Sequence, residues 1–362
     1  MGPAPLERNA MTIAEWVGIG GTTLAAEMRT GATVRRGWRA MAALITVPLL
    51  AAATTLSGAQ TPTVIVVAGA AGEAEFAPDF ELQIKAWAKV SEQAGARHHA
   101  LGEGVAGDAP GGAAATSDRD RLRERLTAED KEGLGELWLV LIGHGTFDGR
   151  EAKFNLRGPD VSAAELSEWL KPFRRPLAIV HTTSSSAPFL AKLSGPGRVV
   201  VSATRSGHEQ NYARFGKFLA EAMTDPKSDL DKDGQISLLE SFLSATHRTK
   251  EFYKTEGRLA TEHALIDDNG DGLGTPADWF RGVLATKRAR DGAALDGPRA
   301  HQMHLLRSTE EQQLSPELRA KRDHLELQLA ELRTRKAKLP EEKYLAELER
   351  LLLQLADLYE GM

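Results

Sequence analysis

Four short runs of aliphatic residues constrain the fold more than any other feature of this sequence. They are TVIVVA at Thr63–Ala68, LWLVLI at Leu137–Ile142, LAIVH at Leu177–His181 and RVVVSA at residues 198–203. A strand with one face in water alternates apolar and polar residues. Runs that do not alternate belong to strands covered on both faces, as in parallel sheets. A weaker strand is expected at residues 97–101. Between the runs the pattern is helical. Residues 80–93 place Leu82, Ile84, Trp87 and Val90 at helical spacing, residues 118–126 form a charged helix, and residues 212–223 are amphipathic. A further helix is expected at 161–170, with Ser162 as its cap and Glu165 three residues on. Residues 102–116, rich in Gly and Ala, read as a loop. Strands alternating with helices predict the α/β class, with a parallel sheet sandwiched by helices.

Composition narrows the function. Of 362 residues, 42% are apolar and 26% charged, which excludes a polytopic membrane protein, a collagen-like fibre and a wholly disordered chain. The net charge of −5 and the 6% aromatic content argue against nucleic acid as a partner. Cysteine is absent, so the chain has no disulfide, thiolate metal site or cysteine nucleophile.

The two ends differ from the middle. Arg35, Arg36 and Arg39 precede an uncharged stretch at residues 40–56, and Ser57 and Ala59 stand at the −3 and −1 positions before Gln60. That order is a signal peptide's, so residues 1–60 are expected to be an export leader, with Met28 as an alternative start. Export would place the protein in the periplasm or outside the cell. Left uncut, the stretch would be a short membrane anchor interrupted by Pro48. Residues 61–283 are expected to form the α/β domain, 284–307 a linker and 308–362 a helical hairpin or coiled coil. Leu318, Leu325, Leu332 and Leu339 recur every seven residues, and Pro340 breaks the run. Leu345, Leu348, Leu352, Leu355 and Tyr359 then step 3-4-3-4, the spacing of a coiled-coil seam. That seam can close within the chain, pack on the α/β domain or dimerise.

Ligands of open α/β sheets sit beyond the carboxyl ends of the strands. The LWLVLI run leads into Gly143-His144-Gly145-Thr146, and the LAIV run into His181-Thr182-Thr183-Ser184-Ser185-Ser186-Ala187. A glycine-flanked histidine and a hydroxyl cluster at such ends are placed for base, nucleophile or oxyanion chemistry. The pair resembles the legumain and caspase clan of cysteine peptidases, in which a His-Gly after the third strand and a Cys after the fourth form the catalytic dyad. The likeness spans residues 61–223 and extends to Val199–Thr204 and the polar run 205–211, which look like the fifth strand and the specificity loop of legumain relatives. It implies a caspase-like fold with His144 and Ser184 at the dyad positions and a peptide or protein as partner. The clan's Cys-x-Ser-Gly falls on Ser184, Ser185, Ser186 and Ala187. A thiol of pKa about 8.5 supplies thiolate at neutral pH. A serine hydroxyl needs a bonded base and a third, orienting group. Only Asp148 lies near His144 in sequence, and His181 is either a second base or a strand-end histidine with a structural role. The expectation is a degenerate, inactive dyad, the alternative being hydrolysis by Ser184 with His144.

Residues 229–240 fit the twelve-residue EF-hand loop throughout. Asp229, Asp231 and Asp233 fill positions 1, 3 and 5, with Gly234 at the turn. Gln235 offers its carbonyl, Ser237 acts through water, and Glu240 is the bidentate ligand. A hard Ca2+ ion takes six to eight oxygens at about 2.3–2.6 Å, which one tight acidic loop can supply. A second loop at 267–278 offers Asp267, Asn269, Asp271, the carbonyl of Leu273 and Asp278, with Asp268 or Asp271 as an alternative contributor to the first site. Gly274 and Pro276 depart from the standard pattern and weaken the expected exit helix. Calcium is therefore the expected cofactor, in a structural rather than a switching role.

Overall fold

The computed structural model describes residues 61–102, 104–105, 116–292 and 294–360. The expected leader and most of the Gly-rich loop lie outside the described residues. Among the described residues, no helix is long and apolar enough to cross a membrane.

The first half alternates as its pattern predicts. Strand β1 (Thr63–Ala68) leads through α1 (Ala77–Gln93) to β2 (Arg97–Gly102), then through α2 (Asp118–Ala128) to β3 (Leu137–Ile142). Three short strands follow, β4 (Gly145–Phe147), β5 (Ala152–Phe154) and β6 (Val161–Ser162), paired antiparallel as a separate small sheet. Helix α3 (Ala163–Leu170), β7 (Leu177–His181), α4 (Ala187–Leu193), β8 (Arg198–Ser202) and α5 (Phe215–Ala222) continue the alternation. Then come α6 (Leu238–Thr255), β9 (Leu265–Asp267) and β10 (Thr275–Pro276). The main sheet runs β10-β9-β8-β7-β3-β1-β2, parallel from β2 to β8, with β9 and β10 antiparallel.

Period-two alternation divides the core between the two faces of this sheet. Val64 and Val66 pack with Phe80, Trp87, Phe215 and Phe242 from α1, α5 and α6. Ile65, Val67, Leu139 and Leu141 pack with Leu122, Leu166 and Phe189 from α2, α3 and α4. Every residue of β1, β3 and β7 is buried, which explains why these strands lack a polar alternation. Ser162 caps α3 in a capping box with Glu165, as the sequence predicts. In α1 the inward stripe is Phe80, Ile84, Trp87 and Val90, whereas Leu82, expected on it, is 53% exposed. Leu82 lies off the i, i+4, i+7 line that the other residues follow.

Two expectations about the C-terminal third change. Residues 284–307 are not a free linker. Helix α7 (Pro298–Gln302) lies there, and Ala300, Met303 and Leu305 are buried in the core on the α6 side of the sheet. Helices α8 (Pro316–Arg335) and α9 (Glu341–Glu360) form a hairpin closed within the chain. Its buried residues are Leu325, Leu329 and Leu332 with Tyr344, Leu348, Leu351 and Leu355. Leu345 is 51% exposed, so the seam on α9 is rotated from the 345/348/352/355/359 line expected of a coiled coil. An ideal helix drifts from a 3.5-residue repeat unless a supercoiled partner holds it there.

Candidate functional site

The carboxyl ends of β3 and β7 are adjacent, because those strands pair in register from Leu137 with Leu177 to Leu141 with His181. The fold therefore brings His144 and the serine cluster to one corner. Gly143 makes the exit from β3 at φ +147°, where a side chain is strained. A Cβ on Gly145 would sit 2.3 Å from the carbonyl oxygen of Ser184, so glycine is required for the close approach.

The hydroxyl of Ser184 is already committed. It accepts the N–H of Gly145 at 3.1 Å and donates to the carbonyl of the same glycine at 3.0 Å, and the residue is 2% exposed. His144 turns elsewhere. Its Nε2 lies 3.0 Å from the carbonyl of Ala71, which makes Nε2 the protonated nitrogen. Its ring stacks edge-on against Phe76 at 4.8 Å and Tyr212 at 5.8 Å. Among the described residues, no hydrogen bond joins His144 to Ser184. Asp148 is not an orienting acid, since its carboxylate accepts the N–H groups of Arg150 and Glu151 in an exposed turn.

The remaining hydroxyls tie strand ends together. Thr182 donates to the carbonyl of Leu141, and Ser186 accepts the N–H groups of Ala203 and Thr204. Ser185 holds φ +54°, its N–H donates to the carbonyl of Glu209, and its buried hydroxyl has no partner among the described residues. His181 is fully buried beside Phe189 and Phe154, and burial pushes its imidazole down to about 3. Thr183 spends its one proton on the carbonyl of Ser184, so His181 Nδ1 donates to Thr183 and Nε2 is left unpartnered in the core. His181 thus stays neutral and, among the described residues, makes no hydrogen bond to Ser184.

The first acidic loop follows α5 and a short 3-10 turn at Pro226–Ser228, and α6 follows the loop. Lys232 and Gly234 take left-handed backbone conformations, φ +64° and +85°, which fold the chain tightly enough to converge its carboxylates. Carboxylate oxygens of Asp229, Asp231 and Asp233 lie within 4.8 Å of one another. Asp229 accepts the N–H groups of Lys232 and Gly234, and Asp233 that of Gln235. Ser237 caps α6 in a capping box with Glu240. Glu240 is fully buried; it also accepts the N–H of Leu230 at 2.7 Å, joining the start of the loop to its end. The Gln235 side chain accepts the N–H of Ser308, fastening the loop to the segment before α8.

The second loop is built differently. It runs from β9 to β10 and is followed by a 3-10 turn at Ala277–Trp279, so no helix exits it. Proline at 276 and the strand at 275–276 take the place of the exit helix. Among the described residues, no converging set of three acidic or histidine ligands includes Asp267, Asp271 or Asp278. Asp267 accepts from Ser194 and Gly270, Asn269 accepts from Asp271 N–H, and Asp271 accepts from Leu273 N–H. Asp268 accepts the N–H groups of Gly297 and Ala300, and thereby anchors the start of α7.

Two residues that sequence reasoning missed complete this region. Asp296 accepts the N–H groups of Asp268 and Asn269 and the hydroxyl of Thr275. Burial, and then the charge of Asp268, push its carboxyl up to about 8. His301 reaches Asp231 through Nε2 at 2.8 Å and joins Asp231 and Glu240 in a second converging set. Neither sits in a local motif, so spacing gave no signal for them.

Among solved structures the chain is similar to the Drosophila initiator caspase Dronc, with TM-score 0.35 and 13% identity over 59% of this chain and 81% of that one. It is also similar to caspase-1 from Spodoptera frugiperda, with TM-score 0.38 and 7% identity over 58% of this chain and 87% of that one. No family model and no curated protein matches the chain.

Proposed function

We propose that this chain is a calcium-binding protein on a caspase-like α/β domain that engages a protein or peptide partner without cutting it. The observation that carries the cation reading is the convergence of Asp229, Asp231 and Asp233 in a loop whose every EF-hand position is filled. Three carboxylates within 4.8 Å repel one another, and a divalent cation removes that repulsion. Carbonyl and carboxylate oxygens are the donor set a hard ion takes, so the residues fit Ca2+. Asp229, Asp231, Asp233, the carbonyl of Gln235 and Glu240 would hold it, with Ser237 completing the shell directly or through water. Export to a calcium-rich compartment suits an extracellular-type site of about 10⁻⁴–10⁻³ M affinity.

Loss of catalysis is supported by the Gly145 peptide, which occupies both hydrogen-bonding directions of the Ser184 hydroxyl. Gly145 N–H is thereby withdrawn as an oxyanion donor, and among the described residues His144 makes no hydrogen bond to Ser184 that would activate its hydroxyl. The caspase-like reading is supported by the order β2-β1-β3-β7-β8 and by the placement of the two motifs after the third and fourth strands of that sheet.

Calorimetry tests the cation reading. The parent should bind Ca2+ at millimolar or better affinity, and Asp229→Ala and Glu240→Ala should abolish the heat; a flat parent titration rejects the reading. Saturating Ca2+ at about 100 Kd should stabilise the fold by about 2.7 kcal/mol, and a chelator should return the Tm to its starting value. A broad peptide library tests the other half. Cleavage by the parent that vanishes in both Ser184→Ala and His144→Ala would restore the hydrolase alternative.

A further inference from the structure

We propose that His301 is a nitrogen ligand supplied to the first acidic loop from outside it, making a mixed site that takes a first-row transition ion such as Zn2+ or Co2+ in preference to Ca2+. The inference rests on the reading of Asp231 as a cation ligand. Asp231 belongs to two converging sets, one with Asp229 and Asp233 and one with Glu240 and His301. Its Oδ1 accepts the N–H of Asp233, and its Oδ2 is the atom His301 Nε2 meets at 2.8 Å.

The backbone on either side of His301 is anchored by its neighbours. Asp268 fixes the first turn of α7 through Gly297 and Ala300. Ala300 and Met303, on either side, are buried in the core. The Met303 carbonyl accepts the N–H of Leu238, the first residue of α6. Gln302 bonds to the Asp323 carbonyl and the Glu326 carboxylate of α8. A cation seated on Asp231 Oδ2 would therefore meet an imidazole carried on an anchored backbone. Imidazole suits Zn2+, Ni2+ and Cu2+, whereas Ca2+ takes oxygen almost alone. A nitrogen fixed beside an oxygen cradle thus shifts preference toward the softer ion.

The test uses the metal-free full chain, with Co2+ as a visible-absorbing probe and Zn2+ as its competitor, beside Ca2+ calorimetry. The parent should give a Co2+ ligand-field band that Zn2+ abolishes. His301→Ala should weaken Co2+ by about tenfold or more, while Ca2+ affinity holds or rises. His301→Gln keeps a donor to Asp231 without the imidazole nitrogen and should behave like His301→Ala. Co2+ binding unchanged in either variant, each shown folded by circular dichroism, overturns the proposal, as does a parent that binds Ca2+ but not Co2+. Should His301→Ala not fold, His301→Gln and the parent band still decide it. A flat Ca2+ titration with His301-dependent Co2+ binding sinks the calcium reading and upholds this one.

Discussion

A hydroxyl that is hydrogen-bonded twice inside a fold is part of the fold. Ser184→Ala removes both bonds to Gly145 and leaves a buried N–H and C=O unpaired, which costs roughly 1–3 kcal/mol. Urea unfolding should record that loss, with no enzymatic change beside it. His181 is the reverse case, since its unpartnered Nε2 leaves the core with a polar atom it does not use. Asp296 gives a pH signature. Its carboxyl is raised from 3.8 to about 8 by burial and by Asp268. Across that window the folded chain keeps a proton that the unfolded chain has released, so its contribution to stability is complete below the lower value and lost as pH rises through the upper one. Asp296→Asn keeps an acceptor for Asp268 and Asn269 N–H and carries no titrating proton. Its urea midpoint should therefore vary less between pH 5 and 9 than the parent's, and an equally steep parent and variant would contradict the assignment.

At the level of elements, what could be read early was what is local. β1, β3 and β7 announced themselves because burial on both faces leaves no polar alternation. The α3 cap was legible because a capping box spans three residues. The first acidic turn was legible because the carboxylates that converge there lie within twelve consecutive residues. The second loop matched at its acidic positions, yet Gly274 and Pro276 already spoke against an exit helix, and the chain forms a strand there. What could not be read depends on distant partners. The Gly145–Ser184 bond spans 39 residues, and no spacing rule reaches that far. Helix α7 was hidden because a five-residue helix among charged neighbours shows no periodicity. Ser237 joins the cap of α6 to the loop before it, so Ser237→Ala should cost about 1 kcal/mol even in chelator, measured by thermal unfolding. No loss in chelator would mean that the cap forms only around a bound ion.

The described residues form a two-faced sheet and a hairpin that α7 meets through Gln302. The central strands are wholly buried, whereas α9 buries only a stripe and exposes Leu345 and Leu353. Hydrogen exchange should therefore be slowest at residues 64–67 and 139–141 and faster along α9, which has fewer buried contacts to break on opening. Equal protection in both would mean that the hairpin unfolds only with the sheet. One contact sets an order on how the chain matures. Asp231 and His301 are 70 residues apart. During synthesis the acidic turn leaves the ribosome well before the imidazole that meets it, so a nascent or prematurely terminated chain carries the turn in its all-oxygen form. In the site proposed above, an ion captured by the newborn polypeptide would meet oxygen alone, and only the finished one would add nitrogen.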